Sequence, residues 1–229
     1  MKIIVDSKEK IARLAAEKIA EQVSDKKNST IAFAAGDTMK SVYAELVQLK
    51  DTDFGEINAF NICDYTGLEA DDPGSCANEV KEELYSKLGI ENVHTPTEEN
   101  AESFDEEISS CGGLDLIVLG IGLNGHIGFN EPTTLYDSYT HVAQLTDVTK
   151  RMKAEKFGGA ENVPSHGVTM GLKTICLAKN VILVAFGADK ADIIHKLVYG
   201  KTSTYVPAAM LQMHMNMTLY LDNEAAAKL

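Results

Sequence analysis

The segment 120–132 carries the densest group of side chains that could do chemistry, and it reads GIGLNGHIGFNEP. His126 titrates near neutral pH and can take up or release a proton, while Glu131 could orient it or act as its partner. Asn124 places an amide in the same loop. One His with one Glu is more often a structural pair, but here glycines surround them and the stretch 114–119, which is apolar except for Asp115, precedes them. We therefore interpret this loop as a catalytic site.

A second loop, Gly36-Asp37-Thr38, lies between a predicted strand (30–34) and a predicted helix (39–49). A glycine lets the backbone turn closely, and the N–H groups of a helix's first turn can bind a phosphate. Thr38 adds a hydroxyl. The alternative is an ordinary turn in which Asp37 or Thr38 caps the helix, because such strand–turn–helix joints are common in α/β proteins.

Two further side chains come after predicted strands. Asp64 follows the strand 58–63 and could act as a base, although a solvated Asp at a strand end is common. Lys190 opens a helix after Gly187, and it could bind phosphate or face solvent. Neither position indicates a site when it is considered alone.

These loops need elements that position them. Asp6-x-x-Glu9 resembles a capping box, and apolar residues follow it at helical spacing. Ser75 is predicted to cap a helix that runs to Leu88. Short apolar strands at 114–119, 181–186 and 217–221 alternate with helices along the rest of the chain.

That alternation is typical of βαβ units, so we predict an α/β fold with a mainly parallel sheet and the active site at the strands' carboxyl ends. No linker, repeat or low-complexity stretch divides the sequence. We therefore expect a single domain over residues 1–229.

Composition argues against several classes of protein. The net charge of −13 over 229 residues would repel nucleic acid. The longest apolar runs are far too short to cross a bilayer, so we expect no membrane partner. The N-terminus lacks the apolar stretch and cleavage site of a signal peptide, and we expect a cytoplasmic protein.

The sequence indicates neither a metal nor a cofactor. Its four cysteines are widely spaced, without a C-x-x-C pair or a Cys/His cluster, and are predicted to be reduced thiols. No Walker A loop occurs. Gly120-x-Gly122-x-x-Gly125 matches the dinucleotide fingerprint superficially, but Pro132 interrupts any helix that would follow. We therefore expect no nicotinamide cofactor.

Taken together, these segments resemble the glucosamine-6-phosphate deaminase/isomerase family nearly end to end. The GIGLNGHIGFNEP loop is the most specific part of the likeness, and shorter matches include 35–38, 60–68, 187–190 and 207–214. The resemblance implies a Rossmann-like three-layer sandwich and an amino-sugar phosphate as substrate. Asn124, the turn 73–76 and the stretch 167–173 look like the galactosamine-6-phosphate isomerase branch, whose product would be tagatose 6-phosphate with loss of ammonia.

The resemblance also implies roles for individual residues. His126 would open the sugar ring with Glu131 beside it, and Asn124 belongs to the same catalytic group. A carboxylate at the end of the strand 58–63 would move a proton from C2 to C1. The substrate and its phosphate would be held by a set of six residues: Gly36, Asp37, Thr38, Gly125, Lys190 and Lys156.

One position departs from the family pattern. The family carries Asp-Glu before an aromatic residue, whereas this chain has Cys63-Asp64-Tyr65, so Cys63 stands where the enolising Asp usually is. Asp64 could have taken over as base, Cys63 could act as a thiolate, or the activity could be altered. We favour Asp64, because a thiolate needs a lowered pKa and no neighbouring cation in the sequence suggests one.

Three other functions remain open at this point. Deamination of glucosamine 6-phosphate is the nearest alternative. A 6-phosphogluconolactonase is a second, although the FNEP continuation of the His126 loop argues against it. A sugar-phosphate sensor that kept the pocket but lost the base is a third, and Cys63 is the feature that keeps it open. A homo-oligomer is also possible.

Overall fold

The computed structural model describes residues 1–69 and 71–229 as strands that alternate with helices. The strands are β1 (Lys2–Asp6), β2 (Thr30–Phe33), β3 (Asn58–Asn61), β4 (Cys63–Tyr65), β5 (Val93–His94), β6 (Leu116–Leu119), β7 (His141–Gln144), β8 (His166–Thr169), β9 (Val181–Ala185) and β10 (Met217–Asp222). The helices are α1 (Lys8–Asp25), α2 (Asp37–Gln48), α3 (Cys76–Val80), α4 (Ser86–Leu88), α5 (Phe104–Ser110), α6 (Asp147–Phe157), α7 (Leu172–Cys176) and α8 (Ala191–Tyr199). A π-helical turn (Lys81–Tyr85) joins α3 to α4, and a 3₁₀ turn (Ala188–Lys190) leads into α8.

Seven strands form one sheet in the order β1-β10-β9-β6-β2-β3-β5, and each neighbouring pair is parallel. All residues of β2, β6 and β9 are buried. Strands covered by helices on both faces have no solvent side, which is why their sequences are continuous apolar runs rather than alternating ones. The predicted α/β class with a mainly parallel sheet is confirmed.

A second, three-stranded sheet has the order β4-β8-β7 and is antiparallel. The prediction of one strand over 58–63 was wrong in this respect, because the chain leaves the main sheet after Asn61 and starts a new strand at Cys63. Ile62 links the two sheets: its N–H donates to Phe33 O, and its carbonyl accepts from Met170 N–H. A continuous apolar run does not reveal where a strand changes partners.

Several helix ends differ from the sequence prediction. Ser7, not Asp6, caps α1, since its hydroxyl accepts from Lys10 N–H. Ser75 caps α3 as predicted, with Asn78 N–H donating to its hydroxyl. At the start of α2, neither Asp37 nor Thr38 is the cap. The capping position is Gly36, and among the described residues no side chain caps the first turn.

The strands β2, β6 and β9 are parallel neighbours, so their carboxyl ends lie side by side along the same border of the main sheet. The loops that follow them are 34–36, 120–128 and 186–190, which contain the predicted phosphate turn, His126 and Lys190. None of the helices formed by residues 1–69 and 71–229 has the length and apolar composition needed to cross a membrane.

Candidate active site

A cavity of about 330 Å³ opens at this edge of the main sheet. It brings together six of the residues predicted from the sequence: Gly36, Asp37, Thr38, Cys63, His126 and Lys190. The lining does not include the other five predicted residues, which are Asp64, Asn124, Gly125, Glu131 and Lys156. Two lining residues that sequence reasoning missed are Lys153, on α6, and Cys76, at the start of α3.

His126 is oriented by a short chain of hydrogen bonds. Its Nδ1 lies 2.7 Å from Asn124 Oδ1, and the amide of Asn124 donates to Glu131 Oε2 at 2.8 Å. Because an amide oxygen only accepts hydrogen bonds, His126 must carry its proton on Nδ1, and Nε2 is left with a free lone pair. Asn124 and Glu131 therefore act behind the imidazole rather than in the cavity.

Residues in the first turn of helix α6 form further hydrogen bonds to His126 and Glu131. Thr146 caps the helix, and its N–H and hydroxyl donate to the two oxygens of Glu131 at 3.2 Å each. One turn later, the hydroxyl of Thr149 lies 3.2 Å from His126 Nδ1. The start of α6 thus fixes both ends of the His126–Asn124–Glu131 chain.

The environment keeps the imidazole neutral. Burial is the main cause that lowers the pKa of His126 from 6.5 to about 4, and the charges of Lys153 and Lys190 lower it further. Glu131 acts in the opposite direction, but it lies 3.8 Å from Nδ1 with Asn124 between them. At neutral pH, His126 can therefore accept a proton at Nε2.

Position 122 requires a glycine, because the imidazole ring of His126 packs directly against the backbone there. A Cβ placed on Gly122 would come within 2.2 Å of the His126 ring. Gly122 N–H also donates to His126 O, which closes the loop. A side chain at this position would displace the imidazole.

The cavity also has features that favour binding of an anion. Gly36 adopts a φ of 125°, which glycine tolerates, and α2 starts directly after it. Within residues 1–69 and 71–229, the N–H groups of Asp37 and Thr38 have no hydrogen-bond acceptor. Unpaired N–H groups at the start of a 12-residue helix form a favourable position for a phosphate.

Two lysines add positive charge to this corner. Lys190 Nζ donates to Ile121 O at 2.9 Å, and burial lowers its pKa, with a further contribution from the charge of Lys153. Lys153 Nζ lies 3.9 Å from where a Cβ on Gly36 would be. We call the group Gly36, Asp37, Thr38, Lys153 and Lys190 the phosphate corner. The carboxylate of Asp37, which pairs with Lys40, is almost fully exposed.

Lys156 lies outside the cavity. Its Nζ donates to Glu79 Oε2 at 2.7 Å, and it lines a neighbouring groove. The sequence offered no way to choose between Lys153 and Lys156, since α6 carries four cations and buries only Thr149. A helix that is polar on nearly every side does not reveal which residue faces the cavity.

Asp64 also lies outside the cavity, and its carboxylate is fully engaged. It accepts from the N–H groups of Tyr65, Cys76 and Ala77 and from the hydroxyl of Ser75, at 2.7 to 3.1 Å. These contacts anchor the start of α3 to β4. This placement favours a structural role for Asp64 over the role of base that we preferred from the sequence.

Cys63 precedes Asp64 on β4 and faces the cavity, as does Cys76. A hydrogen bond with Cys76 raises the pKa of the Cys63 thiol well above its ordinary value, and burial raises it further. Lys153 acts in the opposite direction without reversing the shift. Cys63 is therefore a neutral thiol at neutral pH.

Comparison with known proteins places the chain in a family. The family model described as glucosamine-6-phosphate isomerases/6-phosphogluconolactonase matches residues 6–220. A glucosamine-6-phosphate deaminase of Clostridium botulinum (strain Loch Maree / Type A3) is 36% identical, over 99% of this chain and 98% of its own. One from Thermoanaerobacter sp. (strain X514) is 37% identical, over 99% and 94%.

Solved structures agree with these sequence matches. The structure of a monomeric glucosamine-6-phosphate deaminase is 31% identical, covers all of both chains and superposes with a TM-score of 0.97. A 6-phosphogluconolactonase from Trypanosoma brucei, at 21% identity and a TM-score of 0.79, covers 100% of this chain and 98% of its own and shares the fold. The resemblance described from the sequence is confirmed: the chain belongs to the glucosamine-6-phosphate isomerase/6-phosphogluconolactonase family, which is a family of enzymes.

Proposed function

We propose that this chain is an amino-sugar-6-phosphate isomerase/deaminase that converts galactosamine 6-phosphate and water to tagatose 6-phosphate and ammonia. One observation carries the proposal. A neutral imidazole with a free Nε2 lies in the same cavity as the phosphate corner. The preference for the galactosamine epimer is supported by the short sequence matches at Asn124, 73–76 and 167–173.

The reaction would begin with binding of the substrate phosphate to the N–H groups of Asp37 and Thr38, with Lys153 and Lys190 neutralising its charge. His126 Nε2 would then take the proton from the hydroxyl on C1 and return it to the ring oxygen, which opens the ring. Asn124 and Glu131 hold the imidazole in the tautomer that this step needs.

The second step transfers a proton from C2 to C1 through an enolamine, and hydrolysis of the resulting C2 imine releases ammonia. We assign the transfer to Cys63, because Cys63 lines the cavity and Asp64 does not. A thiolate is the active form of such a base. Since the pKa of the Cys63 thiol is raised, we expect turnover to increase as the pH rises above neutral.

Ammonia release from the two C4 epimers tests the overall reaction. Purified protein should release ammonia from galactosamine 6-phosphate with a higher kcat/KM than from glucosamine 6-phosphate. The reverse order would assign the chain to glucosamine-6-phosphate deamination. Tight binding of both epimers without ammonia release would assign it to the sugar-phosphate sensor.

Cys63→Asp tests the assignment of the base. The variant restores a carboxylate at the position where the family carries one, and we expect ammonia release at pH 7 to rise by about tenfold or more, since general-base catalysis contributes 10²–10⁴-fold. Cys63→Ser removes the thiol without adding a carboxylate and should release less ammonia than the unchanged protein. Equal turnover of the unchanged protein and Cys63→Ser would remove Cys63 from the mechanism.

Hydrolysis of 6-phosphogluconolactone is a second candidate function, and Cys63 is the observation that favours it. Lactone hydrolysis needs one base to activate water and no second base for C2, and His126 alone could supply that base. The segment Phe129–Pro132 after His126 favours the deaminase function instead. A lactonase assay on the protein used for ammonia release would distinguish the two.

A further inference from the structure

Glu79, on α3, lies outside the cavity but bonds two elements that build the phosphate corner. Its Oε1 accepts from Gly36 N–H at 2.8 Å, and its Oε2 accepts from Lys156 Nζ at 2.7 Å. Lys40 Nζ, on α2, lies 3.9 Å from Oε1. One carboxylate thus contacts residues of both α2, with its capping turn, and α6.

This contact differs from a surface ion pair. The side chain of Glu79 is only 13% exposed, whereas exposed pairs such as Lys87–Glu83 lie largely in solvent and contribute little. Burial raises the pKa of Glu79, but the hydrogen bonds from Lys156 and Gly36 outweigh it and leave the pKa lowered. The group is therefore a carboxylate at neutral pH, and both of its hydrogen bonds are charge-assisted.

The two hydrogen-bond partners of Glu79 are Gly36, which belongs to the phosphate corner, and Lys156, which lies close to it. Gly36 precedes the free N–H groups of Asp37 and Thr38. Lys156 lies three residues after Lys153 on α6, so the two are neighbours on the helix surface.

Helix α6 has other contacts near its C-terminal end, where Lys156 Nζ also donates to Ser75 O at 3.4 Å. Its only buried residue is Thr149, in its first turn. Near the other end, Phe157 packs edge-on against Tyr65. The Glu79–Lys156 hydrogen bond, at 2.7 Å the shorter of the two that Lys156 donates, therefore contributes to the position of Lys153 relative to Gly36.

We propose that Glu79 is a positioning residue that sets the distance between the Gly36 turn and Lys153, so that both contact one phosphate. This inference rests on the phosphate corner of the proposed function, but not on the chemistry at C2. It predicts that removing the carboxylate weakens binding of any 6-phosphorylated ligand and leaves the proton-transfer groups in place.

The test compares Glu79→Gln with Glu83→Gln, a matched control one turn further along in the exposed Lys87–Glu83 pair. Calorimetry with sorbitol 6-phosphate measures phosphate binding without turnover, because this ligand has no carbonyl group to isomerise. Sorbitol is the control ligand. We expect Glu79→Gln to raise the Kd for sorbitol 6-phosphate roughly tenfold, because the amide makes neutral hydrogen bonds that are about half as strong as the charge-assisted ones they replace. Glu83→Gln should leave the Kd unchanged.

Measurements of KM, kcat and circular dichroism distinguish a positioning role of Glu79 from a general loss of structure in the variant. In Glu79→Gln, KM for the amino-sugar phosphate should rise by the same factor, while kcat stays within about twofold and circular dichroism shows a folded protein. Lys156→Met should weaken binding similarly, and combining it with Glu79→Gln should add little, because the two changes break one contact. A folded Glu79→Gln with the Kd of the unchanged protein would overturn the inference.

The same experiment distinguishes this inference from the proposed function. If sorbitol 6-phosphate binds and Glu79→Gln weakens it, but no ammonia is released from either amino-sugar phosphate, the positioning role stands and the deaminase function fails. If the unchanged protein does not distinguish sorbitol 6-phosphate from sorbitol, both the phosphate corner and the role of Glu79 are rejected.

Discussion

Asn124 sets the tautomer of His126. Its amide oxygen accepts from the Nδ1–H of His126, and its amide N–H donates to the carboxylate of Glu131. A carboxylate at this position would stabilise a protonated imidazole, whereas a neutral amide gives far less stabilisation. The burial of His126 is therefore left largely uncompensated, and the imidazole is available as a base at neutral pH.

His126→Gln should abolish most of the turnover. Glutamine keeps a polar side chain of similar size but cannot exchange protons, and the loss of general acid–base catalysis lowers kcat by about 10²–10⁴-fold. Steady-state ammonia release checks this, with circular dichroism as the folding control. Turnover within a fewfold of the unchanged protein would contradict the ring-opening role.

Asn124→Asp should change the pH dependence. In the unchanged protein the pKa of His126 is about 4, so protonation of this group reduces activity only below about pH 4. An aspartate at 124 favours the imidazolium and raises this pKa, which moves the acidic limb of kcat/KM to higher pH. Measurement of kcat/KM from pH 4 to pH 8 checks the shift, and an unchanged limb would show that Asn124 does not set the charge of His126.

The same lowered pKa affects stability. The unfolded chain binds a proton at His126 near its ordinary pKa of 6.5, whereas the folded protein binds it only near 4. Between these values the unfolded state holds more protons, so this group makes the folded state less stable as the pH falls from about 6.5 to about 4. Above pH 6.5 its contribution does not depend on pH.

At the scale of the elements, the junction of β4 and α3 depends on Asp64. Its carboxylate accepts four hydrogen bonds, three of which come from Ser75, Cys76 and Ala77 at the start of the helix. A negative charge at this position also interacts favourably with the helix dipole. These contacts hold Cys76 beside Cys63 at the wall of the cavity.

Asp64→Asn should destabilise the protein by about 2 kcal/mol, because an amide cannot replace a buried carboxylate that accepts several N–H groups. Thermal unfolding measures this loss. Asp53→Asn is the matched control, since Asp53 accepts from Gly55 N–H in an exposed turn. Below the unfolding temperature, kcat per folded molecule should stay within a fewfold, and a complete loss of turnover without destabilisation would restore Asp64 as the base.

At the scale of the whole molecule, the first and last strands pair with each other at one side of the main sheet. β1 pairs with β10, and β10 pairs with β9, which lies beside β6. The hydrophobic core continues across the sheet from Phe33 and Tyr85 to Tyr220. We propose on this basis that residues 1–229 fold as one unit.

Equilibrium unfolding in urea should then show one transition. The chain contains eight tyrosines and no tryptophan, so tyrosine signals report on tertiary structure. Tyr43 and Tyr85 contact Phe33 in β2, whereas Tyr220 lies in β10. Near-UV and far-UV circular dichroism should give the same midpoint, and separate midpoints would contradict a single cooperative unit.

Much of the fold and part of the site could be predicted from the sequence because they depend on local patterns. The apolar run 114–119, broken only by Asp115, and the continuous run 181–186 indicated strands with no solvent face, and both are central strands of the parallel sheet. The loop around His126 was recognisable because its residues are contiguous. Ser75 was recognisable as a cap for the same reason, since a cap acts within one helical turn.

Only the tertiary structure decided which neighbouring residue faces the cavity. Cys63 and Asp64 are adjacent on β4, and successive strand residues point in opposite directions, so the pairing of β4 with β8 determines which one faces the cavity. Lys153 and Lys156 lie on a helix with no clear apolar face, and the contact of Lys156 with Glu79 brings together residues 77 positions apart. Spacing along the chain defines a side chain's direction within its own element, but the direction of the element itself depends on contacts with residues distant in sequence.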